Sequence, residues 1–311
     1  MTKLVTGGAG FIGSHIAARL LTQGDKVRIL DDFSTGKWSN LDGFKNDVEV
    51  IEGDLRDPSA LARAVKGCEV VYQQAALRSV PRSIDDPRAN NDVNVTGILN
   101  LLIASKEAGV RRVVYASSSS VYGDDPTLPK VEDQTPRPIS PYAATKIMGE
   151  YYCRIYSQLY GLETVSMRYF NVFGPRQDPE SRYAAVVPRF ITAALLKEPL
   201  EIHGDGLQSR DFTYIDNVVS ANLLAGDAPK ANGEAFNIAC GGRYSLLDVV
   251  TAIEKELGHP VVRNHIEARA GDVKHTLADI GKARRLLSYE PKIGFDEGMA
   301  RTVAWFREHA A

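Results

Sequence analysis

Residues that build metal sites and disulfides are scarce in this sequence. Its 311 residues include three cysteines, Cys68, Cys153 and Cys240, whose wide spacing forms no paired metal or redox motif. The six histidines are scattered; His265 and His275 lie near each other, but no cysteine or carboxylate pattern completes a metal site. We therefore expect free thiols and no bound metal.

Excess charge and long apolar runs are also missing. The formal net charge is -2 at pH 7, which leaves no basic surface for nucleic acid, so any phosphate must be bound by local groups. No apolar stretch is long enough to span a bilayer, and Met1 leads into a glycine-rich turn without an apolar targeting region. We expect a cytoplasmic protein with neither a nucleic-acid partner nor a membrane partner.

Repeats, low-complexity segments and flexible linkers are absent as well. A chain of 311 residues exceeds what one hydrophobic core usually holds. We therefore expect one large domain with a smaller one built onto it.

The first thirty residues carry the most specific pattern. A predicted strand at 3–6 is followed by a helix that runs to Leu21 and by a second strand at 27–30, which ends at Asp31. The turn between the first strand and the helix holds glycines in a Gly-x-x-Gly-x-x-Gly spacing, at Gly7, Gly10 and Gly13. Glycine permits the tight turn and lets backbone amides approach a pyrophosphate at the helix N-terminus. Because the Asp31 carboxylate can bind an adenosine ribose and would repel a phosphate on it, the pattern favours NAD over NADP.

Strands and helices then alternate along the chain. Predicted strands at 48–55, 69–76 and 112–116 alternate with predicted helices at 57–65 and 91–108. This order predicts an α/β fold, a Rossmann-type doubly wound parallel sheet.

The regular alternation ends near residue 172. We predict an NAD-binding domain over residues 1–172, with segments near 211–240 returning to it. Residues 173–311 then form mostly a smaller C-terminal α/β substrate domain, a lid with the ligand between it and the sheet.

Candidate chemistry comes from a tyrosine, a lysine and a serine run. Tyr142 and Lys146 are four residues apart in a stretch that favours helix, so they project from one face. An ammonium group beside a tyrosine favours the phenolate, so Tyr142 can exchange a proton with a substrate alcohol at neutral pH. The run from Ser117 to Ser120 follows the strand at 112–116, at the sheet edge where ligands bind. Each feature alone is common in proteins of this length, but together they support a hydride-transfer hypothesis.

Several motifs in one chain resemble those of a known family. The motifs are Gly7-x-x-Gly10-x-x-Gly13, Ser117 to Gly123, Tyr142-x-x-x-Lys146, Arg168 to Gly174, Ser209-Arg210-Asp211-Phe212 and Arg269-Ala270-Gly271-Asp272-Val273. They resemble the extended short-chain dehydrogenase/reductase family, over residue 2 to about residue 306. Within it the chain is similar to the UDP-hexose 4-epimerases, with features of the UDP-N-acetylglucosamine 4-epimerase branch.

The resemblance implies a role for each candidate catalytic residue. Tyr142 takes the proton from the hydroxyl at carbon 4 of the sugar, and Ser118 hydrogen-bonds the same hydroxyl. Lys146 binds the nicotinamide ribose and lowers the pKa of the tyrosine. Hydride passes to tightly held NAD, the 4-keto sugar rotates, and hydride returns to its other face. The sugar is thereby inverted and NAD ends unchanged.

The same resemblance implies two sets of binding residues. The expected NAD contacts are Gly7, Gly10, Phe11, Ile12, Gly13, Asp31, Asp32, Ser34, Gly36, Asp54, Leu55, Gln74, Ala75, Ala76, Asn94, Ser117, Tyr142, Lys146, Tyr169 and Val172. The expected UDP-sugar contacts are Arg78, Ser79, Ser118, Ser119, Tyr142, Asn171, Ala185, Val186, Val187, Arg210, Arg269, Asp272 and Thr276. Arginines suit the diphosphate because of their fork of donors.

The choice of sugar rests on the size of the pocket residues. Epimerases restricted to glucose and galactose tend to have a tyrosine where Thr276 aligns and an asparagine where Ala185 aligns. Small residues leave room for an acetamido group, whereas Arg78 replaces a usual glycine and either narrows the pocket or reaches the sugar. We predict activity on UDP-glucose and UDP-galactose with potential for UDP-GlcNAc and UDP-GalNAc.

Three other functions stay open. A UDP-glucuronate 4-epimerase would use the same chemistry. Sugar dehydratases carry an Asp-Glu pair at the positions of Ser119 and Ser120, and decarboxylases a glutamate at Ser120; hydroxyls cannot supply that acid and base chemistry. A scaffold that binds NAD without catalysis is the third possibility. The resemblance also implies a homodimer formed through the two long helices at 91–108 and 142–159.

Overall fold

The computed structural model describes residues 1–180, 184–267 and 274–309. The strands in this part of the chain are β1 (Thr2–Thr6), β2 (Lys26–Asp31), β3 (Val48–Glu52), β4 (Cys68–Gln73), β5 (Arg112–Ser118), β6 (Glu163–Tyr169), β7 (Val172–Phe173), β8 (Leu200–His203), β9 (Ser209–Arg210), β10 (Thr213–Tyr214), β11 (Glu234–Ile238), β12 (Tyr244–Ser245) and β13 (Arg263–Ile266). The α-helices are α1 (Phe11–Thr22), α2 (Pro58–Val65), α3 (Val80–Asp85), α4 (Pro87–Asn91), α5 (Gly97–Glu107), α6 (Pro141–Tyr160), α7 (Val186–Leu195), α8 (Ile215–Asp227), α9 (Leu246–Leu257), α10 (Gly281–Leu287) and α11 (Phe295–His309).

Seven parallel strands form the main sheet, in the order β11-β6-β5-β4-β1-β2-β3. The chain builds outward from β1 to β3 and then crosses back to place β4 on the other side of β1. This reversal is the switch point at which ligands bind in open parallel sheets, beside the carboxyl ends of the strands. The predicted Rossmann-type fold is confirmed.

Helices cover both faces of the sheet, which explains why its strands read as apolar runs rather than as alternating patterns. Neighbouring residues of β1 show the division: Leu4 packs in the cluster under α2, α5 and α6, and Val5 packs in the cluster under α1 and α8. Both side chains are fully buried. The sheet is therefore packed on both faces close to the strand ends that border the switch point.

The region after β7 is built from three two-stranded sheets, β7 with β10, β9 with β12 and β8 with β13, covered by α7, α9 and α11. Its apolar side chains, such as Phe190, Val249 and Phe295, belong to the same cluster as Val5 and Ile29 of the main sheet. The segment of β11 lies in the main sheet beside β6. The domain division at residues 172 and 173 stays a prediction, because one apolar core runs through both regions.

The helix predicted at 91–108 is interrupted. It consists of the end of α4, a π-helical turn at Asp92–Thr96, and α5. The turn carries Asn94, whose side chain exchanges hydrogen bonds with the backbone of Leu77 (2.9 and 3.1 Å) and donates to the Thr145 hydroxyl (3.2 Å). The interruption thus ties the loop after β4 to α6, as single π turns at functional sites often do.

The described residues also bear on the cysteines, on metal binding and on membrane spans. Cys68 and Cys153 are free and buried, and Cys240 is free and partly buried. Across residues 1–180, 184–267 and 274–309, no three histidine, cysteine or acidic side chains are grouped to hold a metal ion. No helix in those ranges combines the length and the apolar character needed to cross a bilayer.

Candidate active site

A cleft of about 1020 Å³, part of it open to solvent, runs along the carboxyl ends of β1, β2, β4 and β5. Most of the predicted NAD contacts line it: Gly7, Gly10, Phe11, Ile12, Gly13, Asp31, Asp32, Ser34, Gly36, Asp54, Leu55, Gln74, Ala75, Ala76, Ser117, Tyr142, Lys146 and Tyr169. Arg78, predicted for the substrate, also lines it. The fold therefore gathers residues far apart in sequence into one groove.

The glycine turn fits a pyrophosphate. Gly7 has φ +65°, and a Cβ there would come within 2.7 Å of the Ala75 backbone nitrogen. A Cβ at Gly13 would come within 2.1 Å of the Gly7 carbonyl oxygen. Gly10, the N-cap of α1, has no side chain to satisfy the first-turn amides, which are left for a ligand. These residues would hold the phosphates of NAD at the helix N-terminus.

Acidic residues follow β2 and β3 at the far end of the cleft. Asp31 is 6% exposed and accepts hydrogen bonds from the backbone amides of Ala9 (2.8 Å) and Phe33 (2.9 Å). Burial raises the pKa of Asp31, and these two hydrogen bonds oppose the change. Asp31 therefore holds the glycine turn in shape as well as lining the cleft. Asp54 pairs with the Arg56 guanidinium, which lowers the pKa of Asp54.

Tyr142 and Lys146 begin α6, and both face the cleft. The Ser140 side chain caps the helix by accepting from the Ala143 amide (3.2 Å). The backbone amide of Tyr142 donates to the Ser83 hydroxyl of α3 (3.0 Å). The Lys146 ammonium donates to the Ala116 carbonyl of β5 (2.7 Å) and lies 5.9 Å from the centre of the Tyr142 ring. Helix and strand are thus joined at the site itself.

Burial has the largest effect on the ionisation of both groups. It lowers the pKa of Lys146 to about 7, so its ammonium is held only weakly at neutral pH. It raises the pKa of Tyr142, against the opposing effects of the Ser118 hydroxyl and the Arg78 charge. Burial thus favours the neutral phenol of Tyr142. The expectation that Lys146 activates Tyr142 stays a prediction.

Ser118 ends β5 and accepts two hydrogen bonds from one neighbour. The Ser120 amide lies 3.2 Å and the Ser120 hydroxyl 2.9 Å from Ser118 Oγ. With both bonds accepted, the Ser118 proton is free to be donated, and the Ser118 hydroxyl lowers the pKa of Tyr142. Ser118 and Ser119 lie beside the lining of the cleft rather than within it.

Other predicted substrate residues lie outside the lining of the cleft. Ser79 caps α3, Asn171 connects β6 to β7 with φ 23°, and Ala185 precedes α7 and is exposed. The side chain of Val186 is partly buried, whereas Val187 is 1% exposed within the apolar core. The side chain of Val187 therefore packs in the apolar core, and its contact with the substrate stays a prediction. Val172, predicted for NAD, pairs β7 with β10.

Arg210 and Thr276 lie on adjacent segments. Arg210 Nη1 donates to the Ser209 carbonyl (3.0 Å) and the Lys274 carbonyl (3.1 Å), and the Thr276 amide donates to the Ser209 carbonyl (3.0 Å). The Thr276 hydroxyl oxygen is buried and has no hydrogen-bond partner among the described residues. Two more predicted contacts, Arg269 and Asp272, fall outside the described residues.

Sequence reasoning missed the residues that support the site. Ser83 anchors Tyr142, and Asn222 of α8 accepts from the Tyr169 hydroxyl (2.8 Å) and the Gln74 amide (3.3 Å). Ser83 lies four residues after Ser79, which the resemblance assigns to the substrate. Asn222 gives no sequence signal, because nothing in a helical stretch of apolar residues marks it as a neighbour of β4 and β6.

Comparisons with known proteins agree with this geometry. A model of the NAD dependent epimerase/dehydratase family matches residues 3–239. UDP-glucose 4-epimerase of Mycolicibacterium smegmatis is 41% identical over 312 residues, which cover 99% of this chain and 99% of that protein.

Two solved structures match over almost the whole chain. UDP-glucose 4-epimerase of Thermotoga maritima with UDP-glucose has a TM-score of 0.95 and 36% identity, and the match covers 100% of both chains. UDP-N-acetylglucosamine 4-epimerase of Methanobrevibacter ruminantium has a TM-score of 0.94 and 40% identity, over 99% of this chain and 98% of that one. The cleft, the glycine turn and these matches lead to one conclusion: the chain belongs to the NAD-dependent epimerase/dehydratase family, as an isomerase of its UDP-sugar 4-epimerase group with NAD as cofactor.

Proposed function

We propose that the protein interconverts UDP-glucose and UDP-galactose through a 4-keto sugar, retains NAD throughout, and also accepts UDP-GlcNAc and UDP-GalNAc. The observation that supports the proposal is that Tyr142 and Lys146 line the cleft, with Ser118 beside it and close enough to lower the pKa of Tyr142. Positions 119 and 120 are serines, which cannot supply the acid and base groups of a dehydratase. Relatives named for UDP-glucose and UDP-N-acetylglucosamine support both halves of it. The activity would serve galactose metabolism, and we propose a cytoplasmic location.

The chain's own groups move the proton. Bound NAD would supply the hydride chemistry, held by the glycine turn and by the groups that line the cleft. Tyr142 takes the proton of the sugar hydroxyl and returns it to the keto oxygen on either face. Ser118 and Arg78 lower the pKa of Tyr142 and so reduce the cost of forming the phenolate. Once the phenolate has taken the proton, the Ser118 hydroxyl can donate instead to the sugar oxygen.

A second candidate substrate is UDP-glucuronate. Arg78 lines the cleft and acts electrostatically on Tyr142, so it lies near the reacting end of the sugar. A carboxylate on the sugar would find a cation there. Arg78 therefore favours a UDP-glucuronate 4-epimerase as the alternative, and the same experiment separates the two.

Proton NMR tests the proposal directly. The purified protein, with no cofactor added, is mixed separately with UDP-galactose, UDP-GalNAc and UDP-glucuronate, and the anomeric signals are followed. We expect UDP-glucose to appear in the first tube and UDP-GlcNAc in the second. Turnover of UDP-glucuronate alone would move the assignment to the second candidate, and no change in any tube after NAD is supplied would overturn the proposal.

Replacing Thr276 with tyrosine tests the sugar pocket. The larger ring would fill the space that we assign to the acetamido group, so we expect turnover of UDP-GalNAc to fall at least about tenfold more than turnover of UDP-galactose. The measurement is kcat/KM for both sugars with the same preparation. Equal losses on the two substrates would remove Thr276 from the pocket.

We also propose a homodimer formed through α5 and α6. Their outer face exposes apolar side chains at Ile103 (40%), Met148 (40%), Tyr151 (50%), Ile155 (41%) and Leu159 (71%). Two copies related by a two-fold axis would bury these residues in a four-helix bundle.

A charge on this face should separate the copies. We expect light scattering to give twice the mass of one chain for the parent protein and a single mass for Ile155→Glu. Leu196→Glu, at a position 62% exposed beyond α7, is the matched control and should stay dimeric. A monomeric parent protein, or dissociation by both variants, would contradict this interface.

A further inference from the structure

A buried ion pair lies one helical turn beyond Lys146. The Glu150 carboxylate of α6 is 2.7 Å from the Arg168 guanidinium of β6, and the two side chains are 7% and 5% exposed. The Ser117 hydroxyl at the end of β5 donates to Glu150 Oε1 (2.5 Å). One carboxylate therefore joins the helix that carries Tyr142 to the strand end that carries Ser118.

Arg168 is held from its other side and cannot follow Glu150 away from the site. Its Nη1 atom donates to the Tyr122 hydroxyl (2.9 Å) and to the Glu132 carbonyl (3.1 Å). The Tyr122 hydroxyl donates in turn to the Asn237 side-chain carbonyl of β11 (2.6 Å). The guanidinium is thus held by the Tyr122 hydroxyl and the Glu132 carbonyl as well as by Glu150, and Glu150 takes its position from it.

Glu150 is the anion that acts on Lys146. The ammonium rests on a neutral carbonyl and lies over the Tyr115 ring of β5 (5.1 Å from its centre). Burial raises the pKa of Tyr115 and of the Cys153 thiol on the next turn of α6, so both are neutral where Lys146 titrates. Two groups act electrostatically to raise the pKa of Lys146, Cys153 and Glu150, and of these Glu150 is the carboxylate, held in an ion pair with Arg168.

We propose that Glu150 is a positioning residue for the proton transfer. Through Ser117 it fixes the strand end that presents Ser118, and its carboxylate, one turn from Lys146 on the same face of α6, favours the ammonium form of that lysine. The inference rests on the proposed function of the Tyr142 and Lys146 pair. Glu150 does not touch the substrate. It sets the geometry and the charge of groups that do.

The sign of the expected change follows from the charges. Glu150→Gln removes the anion and leaves the Arg168 cation, so the charged form of Lys146 becomes less favourable. The alkaline limb of the kcat profile should move to lower pH by about one unit. Glu150→Asp keeps the charge and should keep most of the limb in place.

A matched control lies at the opposite end of the same two strands. Arg112 of β5 and Glu163 of β6 form an ion pair of the same length, 2.7 Å, with Arg112 buried. Glu163→Gln should lower the melting temperature without moving the pH profile. A lone buried arginine can prevent folding, so a double variant, Glu150→Gln with Arg168→Gln, removes both charges. The alkaline limb of its kcat profile should lie between those of the parent protein and Glu150→Gln.

Two measurements decide the inference. The first is kcat against pH with UDP-galactose, and the second is NADH affinity against pH by fluorescence, which does not require epimerisation. The proposed role is supported if the alkaline limb moves in Glu150→Gln and stays in place in Glu163→Gln. It is overturned if Glu150→Gln lowers kcat and NADH affinity equally at every pH, so that neither limb moves. If the parent protein leaves UDP-galactose unchanged, the proposed function fails, whereas the NADH profile still decides the role of Glu150.

Discussion

Replacing Tyr142 with phenylalanine is expected to lower kcat by about 10² to 10⁴-fold, because the variant lacks the hydroxyl that we propose exchanges a proton with the sugar. The KM should change little, since the ring and its packing remain. The measurement is initial rate by NMR or by a coupled assay over a range of UDP-galactose concentrations. Tyr160→Phe, at the exposed end of the same helix, is the control and should keep its rate.

A Tyr142→Phe variant that keeps its turnover would falsify the assigned role and leave Ser118 or a bound water as the proton acceptor. Retained NAD in the inactive variant shows that the cleft is intact. The loss then belongs to the chemical step.

Gly7→Ala is expected to lower NAD affinity by about ten- to a hundredfold. The new Cβ would meet the Ala75 backbone nitrogen at 2.7 Å, and backbone cannot rotate aside as a side chain can. Overpacking of this kind costs about 1 to 3 kcal/mol, and each 1.4 kcal/mol is about tenfold in affinity. The turn must shift, and the amides that face the pyrophosphate shift with it. NAD content after purification and a titration of the stripped protein measure the effect.

Gly24→Ala separates the clash from the backbone strain. Gly24 has φ +83°, close to that of Gly7, but nothing lies within 4 Å of its added Cβ. Gly24→Ala should lower the free energy of unfolding by about 1 kcal/mol, because alanine disfavours the left-handed conformation, and should leave NAD affinity unchanged. Equal losses of NAD in both variants would show that strain, and not close approach, governs the turn.

The strand-turn-helix-strand unit at the start of the chain was largely predictable because its signals are local. The glycine spacing and Asp31 lie within one strand-turn-helix-strand unit, so thirty residues of sequence contain both the motif and the context that gives it meaning. Tyr142 and Lys146 were placed correctly on one helix for the same reason. Their spacing alone fixes their common face.

The supports of the site were not predictable, because they depend on contacts between distant elements. Glu150 reads as one more polar residue of an amphipathic helix, and its importance comes from Arg168 on a strand that follows. The π-helical turn that carries Asn94 interrupts no apolar pattern, so periodicity could not reveal it. Val187 was assigned to the substrate by resemblance, yet it lies on the face of α7 that packs into the apolar core.

The length of α6 has a mechanical consequence. Its 20 residues form one rod of about 30 Å, with the catalytic pair in its first two turns and Tyr151, Ile155 and Leu159 farther along. A second copy packed against the later turns would restrain the whole helix, and therefore the orientation of the Tyr142 phenol toward the sugar. Separating the two copies should then slow turnover at a site about 15 Å away, roughly half the helix length, with substrate affinity nearly unchanged.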